Sequence, residues 1–246
     1  MAIVAVQTVT GTGNLTLNGV AAGNLLVAMQ SSYRGSTTTT AIAVPTDTGG
    51  TFVGGISGVG AVFAATNDTA IQGIFYEVNA SSGTHTVTFE LNCGNNKTLS
   101  EFSGMATASV LDVSQPALTS HSDITSQVTG TTGTTAQADE LIIIALALAA
   151  PGGANPVGFT NPVSGFTTLN VVQNDLSDIA TFHAYKIVSA TGTQTATFNW
   201  TSHESNMGAH AAIAAFKGTA AGVNVAARAS RSRPFPFKPG IPQGLR

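Results

Sequence analysis

Apolar and polar residues alternate through long stretches of this chain. Residues 83–89 read Gly-Thr-His-Thr-Val-Thr-Phe, and residues 192–198 read Gly-Thr-Gln-Thr-Ala-Thr-Phe. A period of two sends successive side chains to opposite faces of a strand. Val87, Phe89 and Leu91 then share one face, opposed by Thr84, Thr86, Thr88 and Glu90. In the second run Ala196, Phe198 and Trp200 share a face, opposed by Thr193, Thr195, Thr197 and Asn199. His85 falls on the face of Val87 and reads as a packed side chain rather than a ligand, and Trp200 reads as core. Tyr76 and Tyr185 stand in the strand before each run, so each copy is expected to form a hairpin around a short Ser/Thr/Gly turn.

The match extends beyond these runs. Tyr76-Glu77-Val78 corresponds to Tyr185-Lys186-Ile187, Asn24-Leu25-Leu26-Val27 to Glu140-Leu141-Ile142-Ile143, and Glu101-Phe102-Ser103-Gly104 to Ala215-Phe216-Lys217-Gly218. Asn67-Asp68 corresponds to Asn174-Asp175. Partner offsets are similar but unequal, as when insertions fall in loops between shared strands. Further strands are expected near residues 2–9, 15–17, 24–31, 59–65, 71–78, 99–103, 109–113, 141–149, 166–172, 179–188 and 209–216. Turns are expected at 46–50, 93–96 and 129–135. No segment sustains a 3.6-residue apolar period, so little helix is expected. The expected fold is all-β: two tandem antiparallel β-sandwich domains, jelly-roll-like, over residues 1–113 and 114–218, with an extended C-terminal arm over 219–246.

Composition sharpens this picture. Charged residues make up 9% of the 246, against about 25% in ordinary globular proteins. Such a surface suits proteins packed into assemblies or facing the extracellular world. Cys93 is the single cysteine, which excludes an internal disulfide framework. The apolar run from Leu141 to Ala150 is too short to span a bilayer and aligns with a strand, so it is read as a buried strand. Residues 1–7 lack a basic segment followed by a long apolar one, and no signal peptide is expected.

Charge is divided unevenly. Residues 1–227 hold all twelve acids and four bases, while Arg228, Arg231, Arg233, Lys238 and Arg246 follow with no acid. Prolines 234, 236, 239 and 242 exclude a helix there and favour an extended path. Arg228, Arg231, Arg233, Phe235, Phe237, Lys238 and Ile241 are the expected partner-binding residues: aromatic anchors and cations meeting an acidic neighbour such as another copy's body. A plain solubilising tail is the bland alternative. Five scattered bases are a thin footprint for nucleic acid, which is not expected as a partner.

Motifs for catalysis are missing from the sequence. There is no phosphate-binding loop, and Gly55-Ile56-Ser57-Gly58 fails the nucleophile-elbow pattern. His203-Glu204 lacks a second histidine at metalloprotease spacing. Asn174, Asp175 and Asp178 resemble a calcium loop but lack its density of acids, and Asx turns explain them with fewer assumptions. Tyr33, beside Arg34-Gly35, is the one aromatic placed for stacking on a sugar. No catalytic residue, cofactor or metal is expected.

The Gly-Asn-Leu-Leu-Val-Ala, Tyr-x-Val and Ser-Gly-Thr-His-Thr-Val-Thr-Phe segments, followed by Glu-Phe-Ser-Gly, resemble a family of β-sandwich modules of bacteriophage virion and bacterial surface proteins. The likeness covers about residues 14–218, and the second copy departs from it at Phe216-Lys217-Gly218. It implies a structural or adhesive role and transfers no catalytic residue. The expectation is a non-enzymatic virion protein (capsid, decoration or tail component), made in the host cytoplasm, that assembles with itself and other virion proteins and not with a membrane. The alternative is a carbohydrate-binding or adhesin module at a cell or phage surface, with a surface glycan as partner.

Overall fold

A computed structural model describes residues 1–34, 42–62, 69–90, 95–121, 125–149, 159, 163–172, 179–200 and 208–219. These residues form strands, turns and extended segments with no helix. The first eight strands are β1 (Val4–Gly11), β2 (Leu15–Val20), β3 (Leu25–Arg34), β4 (Thr46–Asp47), β5 (Val53–Val62), β6 (Thr69–Glu77), β7 (Gly83–Thr88) and β8 (Asn95–Ser103). The others are β9 (Leu111–His121), β10 (Ser126–Val128), β11 (Glu140–Ala149), β12 (Thr167–Val172), β13 (Ile179–Val188), β14 (Thr197–Asn199) and β15 (Gly208–Lys217).

Two five-stranded sheets run in the orders β1-β8-β3-β6-β5 and β9-β15-β11-β13-β12, and every pairing in them is antiparallel. The orders correspond strand for strand, and so does the register. Val27 pairs with Tyr76 as Ile143 pairs with Tyr185. Leu25 pairs with Phe102 as Leu141 pairs with Phe216. The internal likeness read from sequence therefore reappears as equivalent residue pairs. β9 begins at Leu111, so residues 111–113 run with the second large sheet.

Among the described residues, the three larger parts of the core lie as slabs between four layers. A three-stranded sheet, β2-β7-β4, covers the first large sheet, with Leu17, Val87 and Phe89 packed against Leu26, Phe75 and Leu99. On the far side, β10 and β14 with neighbouring segments cover the second, where Phe198 and Trp200 meet Ile144, Phe182 and Ile213. The middle slab lies between the two large sheets and holds Leu25, Val27, Met29, Phe102, Leu141, Ile143 and Phe216. Its aromatic contacts are reciprocal. Tyr76 stacks edge-on against Phe216 at 5.3 Å, and Phe102 against Tyr185 at 5.4 Å. Since Tyr76 corresponds to Tyr185 and Phe102 to Phe216, the two halves meet as identical subunits meet across a twofold axis. Burial on both faces explains why β11 reads as an unbroken apolar run.

The other end of the middle slab is polar and equally buried. His183 Nε2 lies 3.0 Å from Ser31 Oγ, which donates to Gln72 Oε1, and Thr98 Oγ1 lies 2.8 Å from His183 Nδ1. The Gln72 amide N–H donates to His210 Nδ1 at 3.0 Å. Both histidines are buried, and desolvation pushes their pKa down to about 3 for His183 and about 4 for His210. Both are therefore neutral at physiological pH.

Several expectations are corrected: Asn95 and Asn96, expected in a turn, open β8 and pair with Ser32 and Ser31. The matched segments are not hairpins: β6 pairs with β3 and β5, while β7 pairs with β2 and β4. Both edges of β6 are already taken, so the chain after Glu77 crosses to the covering layer, turning through Asn79 at φ 57°. β13 likewise lies between β11 and β12, and β14 pairs with β10. Residues 129–135 are not a simple turn either. Thr129, Thr132 and Thr135 donate their amides to the carbonyls of Ala196, Gln194 and Gly192. Their hydroxyls accept the amides of the same three residues. Threonine side chains thus complete a ladder between segments that advance by three and by two residues. Thr132→Val should leave the buried Gln194 N–H without its acceptor and cost about 1–3 kcal/mol, measured by denaturant unfolding.

Candidate functional site

The densest group of chemically capable side chains among the described residues lies where the first large sheet meets its cover. Asp47 comes from β4, Glu77 ends β6 and His85 lies in β7. Alternation along β7 turns His85 inward with Val87, as the sequence suggested; both are fully buried. What the sequence did not show is the company His85 keeps. Its Nδ1 is 2.5 Å from Asp47 Oδ2 and 4.0 Å from Glu77 Oε1. Asp47 lies in the segment read only as a turn, and Glu77 in a strand-end motif noted only for the repeat.

Hydrogen bonds fix the imidazole. His85 Nε2 lies 3.0 Å from the Ser81 carbonyl, which can only accept, so Nε2 carries a proton. Ser81 Oγ donates in turn to the Gly49 carbonyl at 2.9 Å. Nδ1 is left to face the carboxylates. Asp47 Oδ2 also accepts the Gly49 amide at 3.2 Å. Asp47 Oδ1 and Glu77 Oε2 are shielded from solvent and have no hydrogen-bond partner.

Electrostatics follow from this crowding. Burial first, and then the Asp47 charge, push Glu77 up to about 7. Burial pulls His85 down, but the Ser81 carbonyl and the Asp47 carboxylate outweigh it and leave its pKa raised. The group therefore holds protons near neutrality that free side chains would have released.

Gly49 and Gly50 roof the group closely. A Cβ on Gly50 would lie 1.8 Å from Glu77 Oε1, and one on Gly49 2.6 Å from the His85 ring. Gly50→Ala should drive the Glu77 carboxyl from its place and cost about 1–3 kcal/mol, read from thermal melts. A hollow of about 380 Å³ opens beside the roof, lined by Val44, Pro45, Asp47, Gly50, Thr51 and Phe52 among others.

The corresponding positions in the second half hold different chemistry. Lys186 stands where the repeat has Glu77, and Gln194 where it has His85. Lys186 Nζ lies 4.7 Å from the Phe166 ring centroid. The same corner thus folds without a histidine and carboxylate at those positions.

Residues chosen from the sequence fare differently. Arg228, Arg231, Arg233, Phe235, Phe237, Lys238 and Ile241 lie outside the described residues, as do Asn174, Asp175, Asp178, His203 and Glu204. Tyr33 occupies the penultimate position of β3, paired with Ala70. Trp200 is buried, as expected.

The fold defines an all-β protein of antiparallel sheets, and no helix among its described residues is long and apolar enough to cross a membrane. Comparison with known proteins finds no matching family model, no matching curated relative and no matching solved structure.

Proposed function

We propose that this protein is a non-enzymatic structural component of a bacteriophage virion, a capsid, decoration or tail element that associates with itself and with other virion proteins. In this reading each large sheet and its cover form a jelly-roll-like sandwich, and residues 219–246 form the docking arm, with Arg228, Arg231, Arg233, Phe235, Phe237, Lys238 and Ile241 as its contacts. The observation that carries the reading is the reciprocal face between the halves, where Tyr76 meets Phe216 and Phe102 meets Tyr185. Contacts of that kind are how identical copies join, and here they join the two halves of one chain, so that symmetric packing of this module is already in use. The sparse charge supports it, since surfaces destined for burial against neighbours do not need dense solvation.

Electron microscopy and sedimentation of the full chain at high concentration test this. Rings, shells or filaments are expected, and deletion of 228–246 should leave a folded protein that no longer forms them. A monodisperse monomer at every concentration would count against the proposal. Saturable binding on a glycan array, lost in Tyr33→Ala, would favour the adhesin reading instead.

A further inference from the structure

We propose that Asp47, Glu77 and His85 bind one divalent transition-metal ion of the zinc class. This inference is independent of any role in assembly.

The donor atoms converge. One oxygen from each carboxylate and the imidazole nitrogen all lie within 4.8 Å of one another. That spacing suits three groups drawn around one centre, since Zn–N and Zn–O bonds are roughly 2.0–2.2 Å long. The side chains come from three strands, β4, β6 and β7, that backbone pairing and core packing already hold in place.

The histidine is set for this use. Its Nε2–H is spent on the Ser81 carbonyl, so the neutral ring presents its Nδ1 lone pair to Asp47 at 2.5 Å. A lone pair facing a carboxylate oxygen at that distance needs a cation between or beside them. A proton serves when no metal is present. A metal ion would replace that proton by drawing the two atoms apart to about 3.3 Å, and since Asp47 Oδ1 and Glu77 Oε2 are buried without a donor, its divalent charge would compensate both carboxylates. A ring nitrogen fixed by a hydrogen bond from its other nitrogen to a carbonyl is the usual outer-shell arrangement around a metal-bound histidine.

Ligand type selects the ion. One imidazole with two carboxylates suits zinc or its transition-metal neighbours, whereas calcium prefers six or more oxygens. Three protein donors leave a position for water, and the hollow beside Asp47 and Gly50 gives it a route. The glycine roof leaves room for the Glu77 carboxylate and the imidazole at this corner. At the matching corner of the second half Lys186 replaces Glu77 and Gln194 replaces His85, so the proposal assigns no ion there.

The test uses the full chain, stripped with EDTA and dialysed into metal-free buffer at pH 7.5. Zn²⁺ is titrated by calorimetry and by competition with a chromophoric chelator, with Ca²⁺ as the second arm. One saturable Zn²⁺ equivalent with a raised melting temperature is expected, weakened at least ~10-fold by His85→Gln and by Glu77→Gln, on the scale of losing one ligand or its support. No binding, or wild-type affinity in both variants, would overturn the site. Calcium bound more tightly than zinc would overturn the choice of ion. Should His85→Gln fail to fold, the near-isosteric Glu77→Gln decides alone, with a metal-free melt as its folding control.

Discussion

Phe216→Ala is expected to destabilise the entire chain by about 3–5 kcal/mol in one cooperative transition, and Phe102→Ala by a similar amount. Each ring is fully buried in the middle slab and stacks on a tyrosine from the other half. Removing either ring deletes its transfer energy, leaves a cavity and strips the edge-on partner from Tyr76 or Tyr185. The halves share this slab, so the loss is transmitted to both, and calorimetry should show one peak moving down. Two separate peaks, with only the mutated half shifted, would show that the halves are energetically independent. A fragment ending at residue 110 should not behave as a soluble monomer, because Leu25, Val27, Met29, Ile74 and Phe102 would face water. It should pair with a second copy of itself or aggregate.

The second large effect is on acid stability. His183 and His210 are buried neutral, with pKa values pushed down to about 3 and about 4, while the unfolded chain protonates its histidines near 6.5. Below about pH 6.5 the unfolded state binds more protons, so these two residues cost stability as the pH falls. Glu77 and Glu140 act in the opposite sense. Burial is the first cause, and nearby Asp47 and Asp112 respectively add to it, so each carboxyl is pushed up to about 7. Between about pH 4.5 and 6.5 the folded state holds their protons and the unfolded state does not, so they add stability as the pH falls. His85, with its pKa raised, contributes a constant stabilisation below about 6.5 and loses it only as the pH rises through its folded pKa.

With EDTA present, the two pairs should roughly cancel from pH 6.5 to 4.5, giving a flat stability profile. Below pH 4.5 the carboxyls are protonated in both states and only the histidines act. Stability should then fall by about 1.4 kcal/mol per pH unit, the share of His183, because His210 itself titrates near pH 4. Glu140→Gln keeps the neutral shape and removes one offset. Its stability should fall by about 1.4 kcal/mol for each pH unit from 6.5 to 4.5. Urea midpoints across pH check both; a variant profile parallel to that of the wild type would mean that Glu140 is ionised in the folded protein.

Much of the fold was legible in the residues. Strict alternation located β7 and turned His85 and Val87 inward, and the apolar run at 141–149 marked β11 with nearly correct ends. The repeat anchors paired Val27 with Ile143 and Tyr76 with Tyr185, and these residues hold equivalent places in the sheets. Period-two patterning fails to say which strand pairs with which. It was therefore silent on β6 being saturated on both edges, and the chain after Glu77 was misread as closing a hairpin. The Thr129, Thr132 and Thr135 ladder escaped for a related reason: side-chain hydroxyls stand in for a backbone pairing that hydrophobic periodicity cannot report.

The Asp47, Glu77 and His85 group shows the same limit more sharply. Asp47, Glu77 and His85 are separated by 30 and by 8 positions, match no spacing motif, and were passed over as a turn, a strand end and a core residue. Only the stacking of the cover on the large sheet brings their donor atoms together.

By itself the sequence determined that the chain is built of strands, that its strand set is written twice, and which side chains turn inward, because these depend on local periodicity and composition. Tertiary structure alone decided that the two sets close face to face over one buried slab, and that three distant residues share one buried corner. Both outcomes depend on which surfaces meet, a long-range choice made by total burial and by the pairing of every edge, and no stretch of a few residues encodes it.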